Sequence, residues 1–347
     1  MTDEALHPFG PHFGFGLYVH WPYCARICPY CDFNVYAAKD RDPSLLVEAI
    51  CADIRTHRTR MPDHGALDSV YLGGGTPSLL APGDVARILK AADEAFGVKP
   101  GAEITLEANP NDVVRADLAG LRSAGVNRLS VGVQSLRDSA LAFLGRDHDA
   151  DGARASVAQA MRVFRSVSVD LIYARPEQQA DDWQNELADV LALGMPHLSL
   201  YELTIKEGTP FGLAVGRGQI TPMPDDDQAD MFELTQDILG KAGLPAYEVS
   251  NHAMSPEHQS VHNLIYWQGG DWIGAGPGAH GRVTVGGHRY AYEAHRRPEV
   301  YTANVQALGS GWGDAERLEP NAIAQELLAM GLRPASGIDI ARIEAVS

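Results

Sequence analysis

Cys24, Cys28 and Cys31 stand in the run Cys24-Ala-Arg-Ile-Cys28-Pro-Tyr-Cys31, a C-x3-C-x2-C spacing that puts three thiols inside eight residues. Thiolates so close on one loop can converge on a single metal centre. A cubane iron–sulfur cluster normally takes four thiolates, so three leave one iron open to an external ligand. The alternatives are three buried thiols and a zinc site, which would want a fourth ligand. Cys51, the remaining cysteine, falls on the apolar stripe of a predicted helix and reads as a small core residue rather than that ligand.

Other side chains with chemical capacity stand where apolar runs end: Gly73-Gly74-Gly75-Thr76, Glu107, Asn109, Gln134 and Thr204, with Asp170 inside such a run and Arg146 beyond one. Taken singly, each reads as a turn, cap or surface residue. Together, the carboxylates can receive ammonium or hydroxyl donors and the guanidinium can pair with a carboxylate. Glycines after a strand often make only a turn, yet they also let backbone groups approach a ligand closely. Six of the 13 histidines fall between His252 and His295, in a stretch dense in Gly, Tyr and Trp. This stretch reads as loops and short strands.

The elements that must position these residues are six β-type runs, at 16–21, 69–73, 103–108, 128–133, 167–173 and 197–203, with helix-like segments such as 44–60 and 82–96 between them. Alternation of this kind implies parallel βα units, with near-continuous apolar strands buried on both faces. An open (β/α)6 barrel and a doubly wound sheet both fit, and in either the functional face lies at the C-terminal strand ends. The expected organisation is a barrel unit over residues 1–215 and a linker helix with a Gly/His/aromatic-rich extension over 216–310. Residues 311–347 start a helical subdomain.

With 45% apolar residues among 347, the chain can bury a large core. Its net charge of −17 opposes binding to nucleic acid, itself a polyanion. The acidic start and the absence of a long apolar run exclude a secretory leader and a membrane span, so a soluble, cytoplasmic protein is expected.

Seven motifs in order carry a resemblance: Tyr18-Val-His-Trp-Pro-Tyr-Cys24, Cys31-Asp-Phe-Asn34, Leu72-Gly-Gly-Gly-Thr-Pro77, Glu107-Ala-Asn-Pro110, Gly132-Val-Gln-Ser135, Leu144-Gly-Arg146 and Asp170-Leu-Ile-Tyr173. The chain resembles the radical S-adenosylmethionine (SAM) family of oxygen-independent coproporphyrinogen III oxidase and its relative, the heme chaperone HemW. That resemblance implies a partial (β/α)6 TIM-like barrel with a small C-terminal α/β extension. It places a [4Fe-4S] cluster on Cys24, Cys28 and Cys31, its open iron chelated by SAM. It further places Gly74, Gly75 and Thr76 at the methionyl end of SAM, Tyr30 against the adenine, and Tyr18, Glu107, Gln134, Arg146 and Asp170 at other SAM-pocket positions. Where SAM is cleaved, one electron passes to the sulfonium and a 5′-deoxyadenosyl radical abstracts hydrogen from a substrate. One departure stands out: Ala174-Arg175-Pro176-Glu177 replaces the family's Gly-Leu-Pro-Gly. Without those glycines, φ > 0 is hard to reach, and an altered loop is expected.

Two features separate the oxidase from the chaperone within the resemblance. The oxidase branch has a further cysteine where this chain has Phe33, and His262-Asn-Leu-Ile-Tyr-Trp267 matches the H-N-x-x-Y-W motif associated with heme binding in HemW-like proteins. A neutral imidazole can ligate heme iron, which makes His262 the candidate ligand and His252 a second one, with His280 structural. The expected cofactors are therefore the [4Fe-4S] cluster, SAM and heme. The expected partners are heme or porphyrin and recipient hemoproteins, with transient membrane contact and no nucleic acid. Because the family's C-terminal domain normally continues further, the helical subdomain is expected to be incomplete at Ser347.

Overall fold

Each of the six expected runs forms a strand in the computed structural model, which describes residues 8–38 and 42–346. The acidic start at residues 1–4 and Ser347 lie outside the described residues. The strands are β1 (Phe15–Trp21), β2 (Leu67–Gly74), β3 (Val98–Ala108), β4 (Arg128–Gln134), β5 (Ser166–Tyr173) and β6 (His197–Glu202). All five neighbouring pairs are parallel and follow chain order. A doubly wound sheet reverses its strand order at a switch point. This one runs in one direction only, so the open barrel is the architecture.

The barrel does not close on itself. Beyond its last strand come β7 (Ala246–Glu248), β8 (Asn251–Ala253), β9 (Asp271–Ala275), β10 (His280–Val285), β11 (His288–Glu293) and β12 (Glu316–Arg317). One twelve-stranded sheet results, in the order β12-β11-β10-β9-β1-β2-β3-β4-β5-β6-β8-β7. Strand β9 pairs parallel to β1, and β8 pairs antiparallel to β6. The seam at β9 is held by a buried Asp271 carboxylate, which accepts from Arg289 Nη1 at 3.2 Å and Thr284 N at 2.6 Å and lies 2.8 Å from His64 Nε2. Breaking such a buried pair from one side typically costs about 3–5 kcal/mol.

The expectation of strands apolar on both faces is corrected. Val70, Leu72, Leu106, Leu129, Val131, Val167, Val169, Leu198 and Leu200 are buried in the main hydrophobic core. The alternate residues, among them Tyr71, Thr105, Glu107, Ser130, Ser168, Asp170, Ser199 and Tyr201, line a cavity. The strands thus obey a two-residue period, apolar toward the helices and polar inward. A barrel that must hold a ligand leaves its inner face for polar groups instead of filling it.

Local signals set the helices. The helix Pro82–Phe96 starts with proline at its first turn, where no backbone donor is needed, carries Asp84 near its positive end, and stops at Gly97, φ 76°. Its Val85, Ile88, Leu89, Ala92 and Phe96 are buried at helical spacing. Helix Ser44–Arg60 buries Cys51 with Val47, Ile50 and Ile54, as a core residue should be. The H-N-x-x-Y-W segment is not loop: it forms the helix Val261–Trp267, capped by Ser260, whose hydroxyl oxygen accepts from Asn263 N. Among the described residues, no helix is long and apolar enough to cross a membrane.

Candidate functional site

The cysteine loop sits over the C-terminal ends of the barrel strands. Its entry and exit are pinned by a short parallel pairing of Tyr23–Cys24 with Tyr36–Ala37, and Cys31 N donates to Cys28 O inside it. Below opens a cavity of about 500 Å³ whose wall includes Cys24, Cys28, Cys31, the Gly74–Thr76 turn, Glu107 and Asp170. Among the described residues, no three His, Cys, Asp or Glu side chains meet at a point suited to a single metal ion. In a cubane each thiolate ligates its own iron, so thiols arrayed around a cavity wall are a fitting donor set for a cluster. All four cysteines are free. Burial pushes the Cys24 thiol up and the Cys31 thiol up to about 11. Metal loading therefore displaces protons.

Gly74, at φ 104°, and Gly75 are held where no side chain fits: a Cβ on the first would lie 2.4 Å from the His20 ring, and on the second 2.8 Å from the carbonyl oxygens of Trp21 and Tyr23. Gly74 N donates to Glu107 Oε2 at 3.0 Å, and the Tyr71 hydroxyl donates to Glu107 Oε1 at 2.8 Å. Burial pushes the Glu107 carboxyl up to about 7, with the Asp170 charge adding to it. Burial also raises Asp170, to about 6, although Ser130 Oγ donates to it at 3.0 Å. Two carboxylates so poised readily accept a cationic or hydroxyl-bearing ligand.

Tyr30, Gln134 and Arg146 share this wall. Arg146 Nη1 donates to Cys28 Sγ at 3.2 Å, while Nη2 donates to Asn109 Oδ1 at 2.6 Å and Gly132 O at 2.9 Å. Its buried Nε has no partner. The guanidinium thus faces the cysteine loop rather than standing free for a ligand carboxylate.

Three expected site residues do not reach the cavity. Tyr18 is not on its wall, and its hydroxyl lies 3.0 Å from His20 Nδ1. His262 is 2% exposed, with Nδ1 2.8 Å from Ser69 Oγ and Nε2 2.6 Å from the Tyr266 hydroxyl. Burial lowers its pKa to about 3, so the ring is neutral. A neutral imidazole has one donor and one acceptor nitrogen, and both are engaged here. Heme ligation by His262 does not fit this arrangement, because iron would have to displace a fully buried hydrogen bond. His252 is likewise buried, 3.2 Å from Leu244 O.

The loop at 174–177 corrects the expectation that positive φ is hard to reach there. Ala174 at φ 55° and Glu177 at φ 63° enter the left-handed region without glycine. Arg175 between them is buried and pairs with Glu186 at 2.8 Å.

Sequence reasoning missed His20 and Asn34. His20 Nε2 lies 2.9 Å from Asn34 O, and Asn34 Nδ2 donates to Pro277 O at 2.9 Å and Arg296 O at 2.8 Å, tying the cysteine loop to the C-terminal extension. The available signal was register: Tyr18 and His20 are two polar residues two apart on an otherwise apolar strand.

Barrel, cysteine loop and glycine turn together define a class, and residues 18–190 match the Radical SAM superfamily profile. Within it, the chain is 40% identical over 328 residues to the bovine protein named "Radical S-adenosyl methionine domain-containing protein 1, mitochondrial", covering 93% of this chain and 74% of that one. It is 35% identical over 335 residues to "Heme chaperone HemW" of Mycobacterium tuberculosis, covering 95% and 84%. The chain belongs to this radical SAM family. In fold it is similar to coproporphyrinogen III oxidase (HemN) from Escherichia coli, with a TM-score of 0.77 at 22% identity over 98% of this chain and 79% of that one. Membership implies SAM and a [4Fe-4S] cluster.

Proposed function

We propose that the chain is a HemW-like heme chaperone that carries a [4Fe-4S] cluster and SAM, binds heme and passes it to respiratory hemoproteins. What supports the cofactor part is one observation: three free thiols, the glycine turn and two buried carboxylates line a single cavity. Cys24, Cys28 and Cys31 hold the cluster, and Arg146 donates to the Cys28 sulfur. The backbone at Gly74–Thr76 meets the methionyl end of SAM, Tyr30 packs on the adenine, and Glu107, Gln134 and Asp170 offer oxygens to its ammonium and ribose hydroxyls. When bound, cluster and SAM supply one-electron chemistry.

The heme part is supported by the relative named a heme chaperone and by the rim of the cavity. Phe33, 63% exposed, and Ile27, 44% exposed, make an apolar rim on which a planar macrocycle can pack. Free cysteines suit a reducing compartment, here taken as cytoplasmic, although the bovine relative is named mitochondrial. Delivery to a recipient involves transient contact with it at the membrane. The test is anaerobic reconstitution with iron and sulfide, followed by parallel assays of heme uptake by absorption spectrum and of coproporphyrinogen III decarboxylation. The expected result is stoichiometric heme uptake without turnover. Vigorous decarboxylation would overturn the chaperone reading in favour of the oxidase.

A further inference from the structure

Three non-glycine residues have positive φ among the described residues: Gln134 at 67°, Ala174 at 55° and Glu177 at 63°. A side chain enters that region against steric resistance and stays only where its surroundings over-determine it. Gln134 ends β4, where the chain passes into the next loop, and Ala174 and Glu177 fall on the loop that leaves β5. One buried ion pair reaches both loops.

Glu186 lies on the helix Ala180–Leu191 and is fully buried. Its Oε1 accepts from the Ser135 hydroxyl and from Leu136 N, at 2.8 Å for the latter, directly after Gln134. Its Oε2 accepts from Arg175 Nη2 at 2.8 Å. Arg175 Nη1 donates to Ile172 O at 2.6 Å, and Arg175 N donates to Gln178 Oε1 at 3.1 Å across its own loop. Gln134 and Ile172 both face the cavity. Ligand wall, strained loop, ion pair, strained loop and ligand wall therefore form one connected path.

We propose that the Arg175–Glu186 pair is a positioning device that holds both loops in their strained form and so sets the Gln134 face of the SAM site. The proposal rests on the reading of this cavity as a SAM pocket. Two glycines would allow the same backbone on β5 without assistance; in this chain a charge pair anchored on a helix substitutes for them. Weakening the pair lets the loops relax toward negative φ and turns Gln134 away, while the cysteine loop, held by separate contacts to Pro277 and Arg296, stays in place.

The experiment uses the full chain, reconstituted anaerobically, with iron and sulfide content and SAM dissociation constant measured on each variant. Glu186→Gln and Arg175→Met should carry wild-type cluster content and bind SAM about tenfold more weakly. Adding Ala174→Gly and Glu177→Gly to Arg175→Met should recover most of that affinity, which a pair acting only on overall stability would not allow. Wild-type SAM affinity in either single variant, or no recovery with the glycines, overturns the proposal. Should Arg175→Met not fold, the isosteric Glu186→Gln decides by the same measurement. A wild-type protein that holds its cluster but binds no SAM is a distinct result, which overturns the functional reading and the positioning role together.

Discussion

Glu107→Gln is predicted to change the stability of the ligand-free chain with opposite signs at high and low pH. The Glu107 carboxyl has a folded pKa of about 7 against an ordinary 4.5, with burial as the main cause. The folded chain therefore holds this proton more tightly than the unfolded one. Its stabilising contribution is complete below 4.5, declines as pH rises toward 7, and is gone above that. The difference corresponds to roughly 3 kcal/mol between the two ends of that window. Because the carboxyl faces the cavity, water there screens it, and this figure is an upper bound. Glutamine has no charge to desolvate, but its one carbonyl cannot serve both the Tyr71 hydroxyl and Gly74 N. Losing one such bond costs about 1 kcal/mol. The variant should thus be more stable than wild type by roughly 1–2 kcal/mol at pH 8 and less stable by about 1 kcal/mol near pH 4. Denaturant unfolding of both proteins, free of cluster and ligand, across this range measures the difference directly. A difference that does not vary with pH would refute the reasoning.

Asn34→Ala removes two donations that tie the cysteine loop to the extension; cluster absorption should decay several-fold faster under a chelator, at roughly 1–2 kcal/mol of lost anchoring. His262→Ala leaves Ser69 and Tyr266 without their buried partner and should cost about 2–3 kcal/mol in denaturant unfolding. The absorption spectrum of heme-loaded protein should be unaffected by that change, since neither ring nitrogen is free. Gly75→Ala places a Cβ against two backbone carbonyls that cannot move aside cheaply, and SAM binding measured by dialysis should fall by about two orders of magnitude.

Elements with strong local signals were legible in the sequence. Helices at 44–60 and 82–96 coincide with Ser44–Arg60 and Pro82–Phe96, because proline, glycine and apolar spacing mark them locally. The six strands were equally plain, yet their polar inner face was not. Small residues such as Ser130, Ser168 and Ser199 sit unobtrusively among valines and leucines, and only the barrel's curvature brings them together. The buried setting of His262 was hidden for a similar reason: its partner Ser69 is 193 residues away, and local spacing reports nothing of it. The 174–177 loop shows where a local rule yields to tertiary structure. Missing glycines argued against positive φ, yet Ala174 and Glu177 both have it, beside a buried pair that Arg175 makes with Glu186 on the next helix. Of the candidate site, the cysteine triad, glycine turn, Tyr30, Glu107, Gln134, Arg146 and Asp170 do come to one cavity. His20 and Asn34, which link β1 and the cysteine loop to the extension, carry only the faint signal of strand register.

The central claim is that Cys24, Cys28 and Cys31 hold a cluster whose open iron SAM reaches from this cavity. Electron paramagnetic resonance of the reduced, reconstituted protein, recorded with and without SAM, tests it most directly. The account predicts a [4Fe-4S] signal that shifts when SAM is added and is absent in Cys28→Ala. A signal that persists in Cys28→Ala, or that SAM leaves unchanged in the wild type, would contradict it.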